Sequence, residues 1–182
     1  VTDLSGNTAT CNATVTVQDL IEPVAVCKNI TVQLNSSGTA TIVGLDVDNG
    51  STDNCSIFSR SVTPNTFNCT NVGTPVTVTL TVTDPAGNTD DCTATVTVED
   101  NVDPTAVCRN ITIQLNAGGT ASIVAADINN GSADACGIAS IVASQTAFDC
   151  TDLGANTVTL TVTDNNSNVS TCNATVTVQD TR

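Results

Sequence analysis

VTVTLTVTDPAGNTDDCTATVTV, residues 76–98, is the stretch whose pattern decides the fold. Val76, Val78, Leu80 and Val82 alternate with Thr77, Thr79, Thr81 and Thr83. A period of two gives a strand one apolar and one hydroxylated face. Asp84-Pro85-Ala86-Gly87-Asn88 then supplies turn chemistry, and Ala94, Val96 and Val98 alternate with Thr93, Thr95 and Thr97 on the return. Upstream, Ile30, Val32 and Leu34 follow the same rule, and Asn35-Ser36-Ser37-Gly38 separates them from an apolar run, Ala40 to Val47. No helical stripe is found. A unit of about 80 residues, with roughly seven short strands and turns every 8–12 residues, predicts an immunoglobulin-like β-sandwich.

The unit repeats. Ala25 to Asn35 (AVCKNITVQLN) returns as Ala106 to Asn116 (AVCRNITIQLN), and Asp46 to Cys55 (DVDNGSTDNC) returns as Asp127 to Cys136 (DINNGSADAC). Val82 to Cys92 matches both Val1 to Cys11 and Val162 to Cys172. The expected organisation is a C-terminal strand segment of a truncated preceding repeat (1–20), one full repeat (21–101) and another (102–182). Tandem sandwiches joined by a few residues behave as a quasi-one-dimensional rod. The fold class expected is therefore all-β, with sandwiches end to end.

Composition removes most chemistry. The 182 residues carry a formal charge of −14, nine cysteines, no His, Met, Trp or Tyr, and three Phe. Without histidine there is no Ser-His or Cys-His pair and no imidazole metal site. Lys28, Arg60, Arg109 and Arg182 are the only basic residues, too few to neutralise phosphates, so nucleic acid is excluded as a partner. Membrane insertion is not expected either, since no apolar run approaches the ~20 residues a spanning helix needs. A glycosidase would want two carboxylates in an aromatic-lined cleft, and there is no Trp or Tyr to build one. Phe67 and Phe148 read as core. The Thr rows read as the wet face of ordinary strands rather than as ice-binding ladders.

Each full repeat holds four cysteines: Cys27, Cys55, Cys69 and Cys92, then Cys108, Cys136, Cys150 and Cys172. Four cysteines allow three connectivities, and sequence alone does not choose. The topology of a sandwich pairs first and last strands in parallel, which favours Cys27–Cys92 with Cys55–Cys69, and Cys108–Cys172 with Cys136–Cys150: two disulfides per repeat. Cys27 is out of phase with Ile30 and Val32, which a bulge at Lys28-Asn29 would repair. Cys11 occupies the position of Cys92, so its partner is expected upstream of residue 1. Zinc is disfavoured because no C-x-x-C occurs. Disulfides imply an oxidising, extracellular setting, and a thin core with few aromatics needs them.

The acids are expected at one pole of each sandwich. Asp19 and Glu22 enter the first full repeat, Asp46, Asp48, Asn49, Ser51 and Asp53 form a loop, and Asp84 and Asn88 sit in the last turn. The second repeat offers Asp100, Asp103, Asp127, Asn129, Asn130, Ser132, Asp134 and Asp164. Carboxylates sharing one pole repel one another without a cation, and Ca²⁺ takes six to eight oxygens from such flexible loops. Ordinary solvated turn chemistry is the alternative. The second loop, with Asn129 in place of an Asp, should bind more weakly.

Asp53-Asn54-Cys55, Val72 to Cys92, and Val98 to Pro104 together resemble the hyalin-repeat (HYR) family, and the resemblance spans the chain. The central cysteine pair and the A-x-C-x-N-I-T-V-Q-L opening are similar to tandem repeats of very large bacterial surface adhesins, including those of gliding bacteria. Ala135 and Ser167 depart from the family pattern, the second at the tight last turn. The resemblance implies an immunoglobulin-like fold, cell-surface adhesion architecture and no enzyme. The function expected is a stalk or spacer on the cell surface. Its partners are neighbouring repeats of the same long chain, or other copies in a filament, with calcium at the joints. A calcium-free self-assembling filament and a calcium-dependent glycan-binding module are the alternatives.

Overall fold

The period-two segments form the strands that carry the core. In this computed structural model, which describes residues 1–181, β1 (Ile30–Gln33), β2 (Thr39–Thr41), the single helical turn α1 (Gly44–Val47), β3 (Ser59–Thr63), β4 (Thr66–Asn68), β5 (Val76–Thr83) and β6 (Thr89–Glu99) make the first unit. The second repeats them as β7 (Ile111–Gln114), β8 (Thr120–Ser122), α2 (Ala125–Ile128), β9 (Ile138–Ala143), β10 (Ala147–Asp149), β11 (Gly154–Asp164) and β12 (Val169–Gln179). Arg182, at the end of the expected second repeat, lies outside the described residues.

Each unit is a pair of sheets. Four strands run in the order β1-β6-β5-β3 and two more pair as β2-β4; the second unit has β7-β12-β11-β9 and β8-β10. First and last strands are parallel, with Ile30 opposite Val96 and Ile111 opposite Val176. Val78, Leu80, Val82 and Val96 are fully buried in the first core, and Val158, Leu160, Val162 and Val176 in the second. Phe67 and Phe148 are 3% and 2% exposed, as their apolar neighbours imply, whereas Phe58 is on the surface.

Two local expectations change, and a third feature holds. The run Ala40–Val47 is not one strand: it breaks after Thr41, and Gly44–Val47 coils into α1, where the Asp46 carboxylate accepts the Val43 N–H at 2.7 Å. Asp127 accepts the Val124 N–H in the same way at 2.8 Å. There is no bulge at Lys28-Asn29. Cys27 instead makes an isolated bridge to Asp48, and the chain crosses from there to the four-stranded sheet, where β1 begins at Ile30. The Asn29 side chain accepts the Thr95 N–H at 2.8 Å, satisfying a donor that the crossing would strand. The last turn of the second unit keeps its form despite Ser167, which takes a φ of 75° where Gly87 takes 96°.

The disulfides require the largest correction. Cys27 is bonded to Cys92 and Cys108 to Cys172. Cys69 is bonded to Cys136, and Cys55 and Cys150 are free, so neither Cys55–Cys69 nor Cys136–Cys150 forms. Cys55 precedes β3 at the pole where β1 and β3 start. Cys69 follows β4 at the opposite pole, beside the β1–β2 turn, where its sulfur lies 3.7 Å from the Gly38 carbonyl oxygen. The two cannot meet within one sandwich. Each unit thus has one internal disulfide, and a third ties one unit to the next.

Candidate functional site at the joint

Residues 100–104 link the two sandwiches, and four elements hold that link. The first is the Cys69–Cys136 bond, with Cα atoms 5.2 Å apart. Cys69 opens a 3₁₀ turn (Cys69–Asn71) whose preceding Asn68 accepts the Thr70 N–H, fixing the direction of the sulfur. The sulfur lies over Gly38, which has a φ of 70°; a Cβ there would stand 2.7 Å from it and 3.2 Å from the Cβ of Ala135. Gly38 therefore serves both the turn and the close approach of the second sandwich.

The second element is Asn168. Its amide donates to the linker carbonyls of Asp100 (3.1 Å) and Val102 (3.2 Å) and to the Asp164 carboxylate (2.8 Å). Asp164, 1% exposed, also accepts the N–H groups of Asn166 and Asn168. The linker is thereby docked on the last turn of the unit it enters. Asn88 repeats the arrangement on the carbonyls of Asp19 and Ile21, both at 3.2 Å, and on Asp84.

The third element is an acidic pair. Asp100, Asp134 and Cys136 each bring a ligand-type atom within 4.8 Å of the others, and Asp19, Asp53 and Cys55 do the same one repeat earlier. Asp100 is 6% exposed, and its Oδ2 is buried with no hydrogen-bond partner; Asp53 Oδ1 is in the same condition. Buried carboxylate oxygens are expected to be paired or to meet a cation. Other oxygens of these groups are engaged: Asp100 Oδ1 accepts the Val102 N–H at 3.1 Å, Asp134 Oδ1 accepts the Cys136 N–H at 2.7 Å, and Asp53 Oδ2 accepts those of Cys55 and Ser56. A hydrogen bond and the negative charge of Asp19 push the Cys55 thiol upward in pKa. Backbone donation from Ile21 holds the Asp19 carboxyl below the usual range.

The fourth element is a groove of about 450 Å³ lined by Ser36 of the first unit and Val102, Asp103, Ala133, Asp134 and Ala135 across the joint.

The acids expected at the pole thus divide. Asp19, Asp53, Asp100 and Asp134 come together in two pairs, and Asp103 lines the groove beside Asp134. Glu22 is exposed on the entering segment. Asp84 and Asp164 are nearby, but their oxygens organise the last turn. Asp46 and Asp127 cap the helical turns. Asp48 pairs with Arg60 at 2.7 Å and accepts from Ser51, so it serves the wall of its own sandwich. Position Asn129 in the second unit is accordingly not a weakened ligand. Its side chain accepts the Ser132 N–H, and Ile141 stands where Arg60 would.

Sequence reasoning missed the bond across the joint because it sought partners within each repeat. The signal available was Gly38 and Gly119, which hold equivalent places although neighbouring residues differ.

No family model matches the chain, and no curated protein matches it. Among solved structures, it is similar to human protocadherin-24 EC1-2 (14% identity, TM-score 0.43), covering 88% of this chain and 99% of that one. It is also similar to protocadherin gamma B7 extracellular cadherin domains 1–4 (12%, TM-score 0.41), covering 87% of this chain and 51% of that one. A third is DIP-gamma IG1+IG2 (10%, TM-score 0.34), covering 87% and 98%. The chain spans about half the length of the gamma B7 structure. These likenesses concern the fold alone. Among the described residues no helix is long and apolar enough to cross a membrane. Three disulfides belong to an extracellular or secreted chain.

Proposed function

We propose that this chain is a stretch of an extracellular stalk: disulfide-stapled sandwich repeats whose role is to set and hold the spacing of something carried at a distance from a cell surface. The observation that carries the reading is the Cys69–Cys136 bond. A second tether across a joint restricts the bending and twisting that a lone linker leaves, which is what a spacer requires. The docking of the linker by Asn168 acts to the same end, and Pro104 limits the hinge. The resemblance of the repeat to hyalin repeats and to large bacterial surface adhesins agrees with this reading.

Calcium fits the joint. Asp100 and Asp134 would hold the ion, with the unpartnered Asp100 Oδ2 as the oxygen most in need of it. Asp19 and Asp53 form the corresponding pair. Cys136 is not expected to take part, since Ca²⁺ selects oxygen ligands. The ion would neutralise two carboxylates that otherwise repel and would fix the linker against the second sandwich.

Spin labels on the two sandwiches test the stalk. The oxidised chain is expected to give one narrow inter-label distance distribution, and Cys69→Ser a broader one. A broad distribution in the parent chain overturns the reading. Thermal melts in millimolar Ca²⁺ and in chelator test the ion. Occupancy at a hundred times Kd adds about 2.7 kcal/mol, several degrees for units of this size. That shift should shrink in Asp100→Asn/Asp134→Asn and vanish when Asp19→Asn/Asp53→Asn are added. Identical melts remove calcium and leave a stalk held by disulfides and docked linkers.

A further inference from the structure

The two free cysteines next to the sandwiches are the uncovered halves of the joint seen at Cys69–Cys136. Cys150 opens a 3₁₀ turn (Cys150–Asp152), as Cys69 does, with Asp149 in the place of Asn68 accepting the Thr151 N–H at 2.7 Å. Its sulfur lies 3.7 Å from the Gly119 carbonyl oxygen, the same distance as Cys69 from that of Gly38. Gly119 has a φ of 71° against 70° for Gly38, and a Cβ on it would stand 2.9 Å from the Cys150 sulfur. One difference separates the sites. Over Gly38 come Ala135 and Cys136 of the next sandwich; over Gly119 comes Cys150 alone. Gly38 is buried and Gly119 is only half-buried. A left-handed glycine beneath a sulfur is the seat of the joint, and the second sandwich carries that seat empty.

Cys55 is the other half. It follows Asp53 as Cys136 follows Asp134, with the carboxylate accepting the cysteine N–H in both loops. The Asp19–Asp53–Cys55 group matches the Asp100–Asp134–Cys136 group in spacing. The linker before it is docked by Asn88 as Asn168 docks the linker at the observed joint. Both halves thus repeat local contacts that Cys69 and Cys136 make at the closed joint.

We propose that the staple is continuous: Cys150 bonds the Cys55-type cysteine of a following repeat in the same chain, and Cys55 bonds the Cys150-type cysteine of a preceding one. Every sandwich then has one internal disulfide and one bond to each neighbour. The partner is defined by its chemistry, an Asp-x-Cys loop behind a linker docked on the last turn. The sequence offers the register directly, because Thr171 to Asp180 (TCNATVTVQD) is identical to Thr10 to Asp19. The bond forms by exchange with a small-molecule disulfide. One cysteine thiolate attacks it and releases a thiol, and the second thiolate displaces the other half from the mixed disulfide. Two protein thiols and one small disulfide become one protein disulfide and two small thiols, which carry away the two electrons and two protons.

This inference deepens the stalk reading and rests on it; it does not need calcium. The test splices one full chain to another at the shared register, residues 1–180 followed by residues 20–182. The product is oxidised with a glutathione disulfide buffer, alkylated in denaturant and mapped by mass spectrometry. The expected peptide joins Cys150 of the first half to Cys55 of the second, while Cys11, the first Cys55 and the last Cys150 are alkylated. Gly119→Ala in the first half should reduce that one bond several-fold and leave both Cys69–Cys136 bonds intact. Alkylated Cys150 beside intact Cys69–Cys136 bonds overturns the continuous staple and spares the stalk. Cys150–Cys55 bonds found only between separate molecules overturn the assignment to a neighbouring repeat. Loss of the Cys69–Cys136 bonds as well overturns both readings.

Discussion

Cys69 and Cys136 are 67 residues apart in sequence and 5.2 Å apart at Cα, and they belong to different sandwiches. The bond overlaps its neighbours along the chain: it begins inside the Cys27–Cys92 loop and ends inside the Cys108–Cys172 loop. Between Cys92 and Cys108 the molecule therefore has two covalent routes, the linker and the staple. That redundancy predicts survival of a cut. With a specific protease site inserted after Asn101, cleavage should leave a single species on a non-reducing gel and two on a reducing one. In a Cys69→Ser background the cleaved chain should separate without reductant. Separation of the parent chain without reductant would remove the second route.

Pulling on the ends gives a mechanical counterpart. The Cys27–Cys92 loop hides 65 residues from extension, about 220 Å of chain at ~3.4 Å per residue. Single-molecule extension should show steps longer by about that length once reductant is added. An oxidised chain that already extends fully would show that the Cys27–Cys92 bond does not close that loop.

Gly38 and Gly119 separate the demands of a turn from those of the joint. Both have φ near 70°, where an L side chain costs roughly 1–2 kcal/mol. Only Gly38 lies under a closed disulfide. Gly38→Ala should lower the stability of the first sandwich and also leave Cys69 and Cys136 alkylatable in a fraction of molecules. Gly119→Ala should cost about the same backbone strain in the second sandwich and leave the Cys69–Cys136 bond complete. Equal effects on that bond would mean that Gly38 serves the turn alone.

How much of this was legible in the sequence depends on the range of the interaction. Val76 to Val98 declares its strands because side-chain alternation is local, and the parallel pairing of first and last strands brings Cys27 to Cys92. Gly44–Val47 was hidden inside an apolar run, since one helical turn is too short to show a stripe. Its signal was Asp46 three residues after Val43. Pairing Cys27 with Cys92 leaves Cys55 and Cys69 as partners by elimination within one repeat, but they stand at opposite poles of the sandwich, and the partner of Cys69 lies in the next one. The grouping of the acids was half legible for a related reason. Composition reports that carboxylates are many; only the hydrogen bonds report that Asp46, Asp84, Asp127 and Asp164 are already committed.

Ser167 holds a φ of 75° in a turn where the first unit uses Gly87. Relief of the left-handed strain outweighs the larger unfolded-state entropy of glycine, for a net gain of about 0.5 kcal/mol. Ser167→Gly should thus raise the melting temperature of the second sandwich by roughly 2–4 °C, read by calorimetry, and Gly87→Ser should lower that of the first. A Ser167→Gly variant that melts lower would show that the serine is held by more than its backbone.

The Asp48–Arg60 pair is replaced as a pair in the second sandwich, by Asn129 and Ile141. Burial pushes the Asp48 carboxyl upward, but hydrogen bonds from Ser51 and Arg60 and the charge of Arg60 outweigh it, so the group is held below the usual carboxylate range. A lowered carboxylate contributes stability that is present above its unfolded value and is lost as pH falls through the folded one. Arg60→Ile alone leaves a mostly buried carboxylate without its cation and should cost roughly 1–3 kcal/mol, less than a fully buried pair because Arg60 keeps some contact with water. Adding Asp48→Asn should recover most of that loss at neutral pH, since the double variant copies the solution already used at Asn129 and Ile141. It should also flatten the acid limb of the stability curve below about pH 4, where the parent chain sheds the Asp48 contribution. A double variant as unstable as Arg60→Ile at pH 7 would mean that the two sandwiches reach their stability by packing around this site that is not interchangeable.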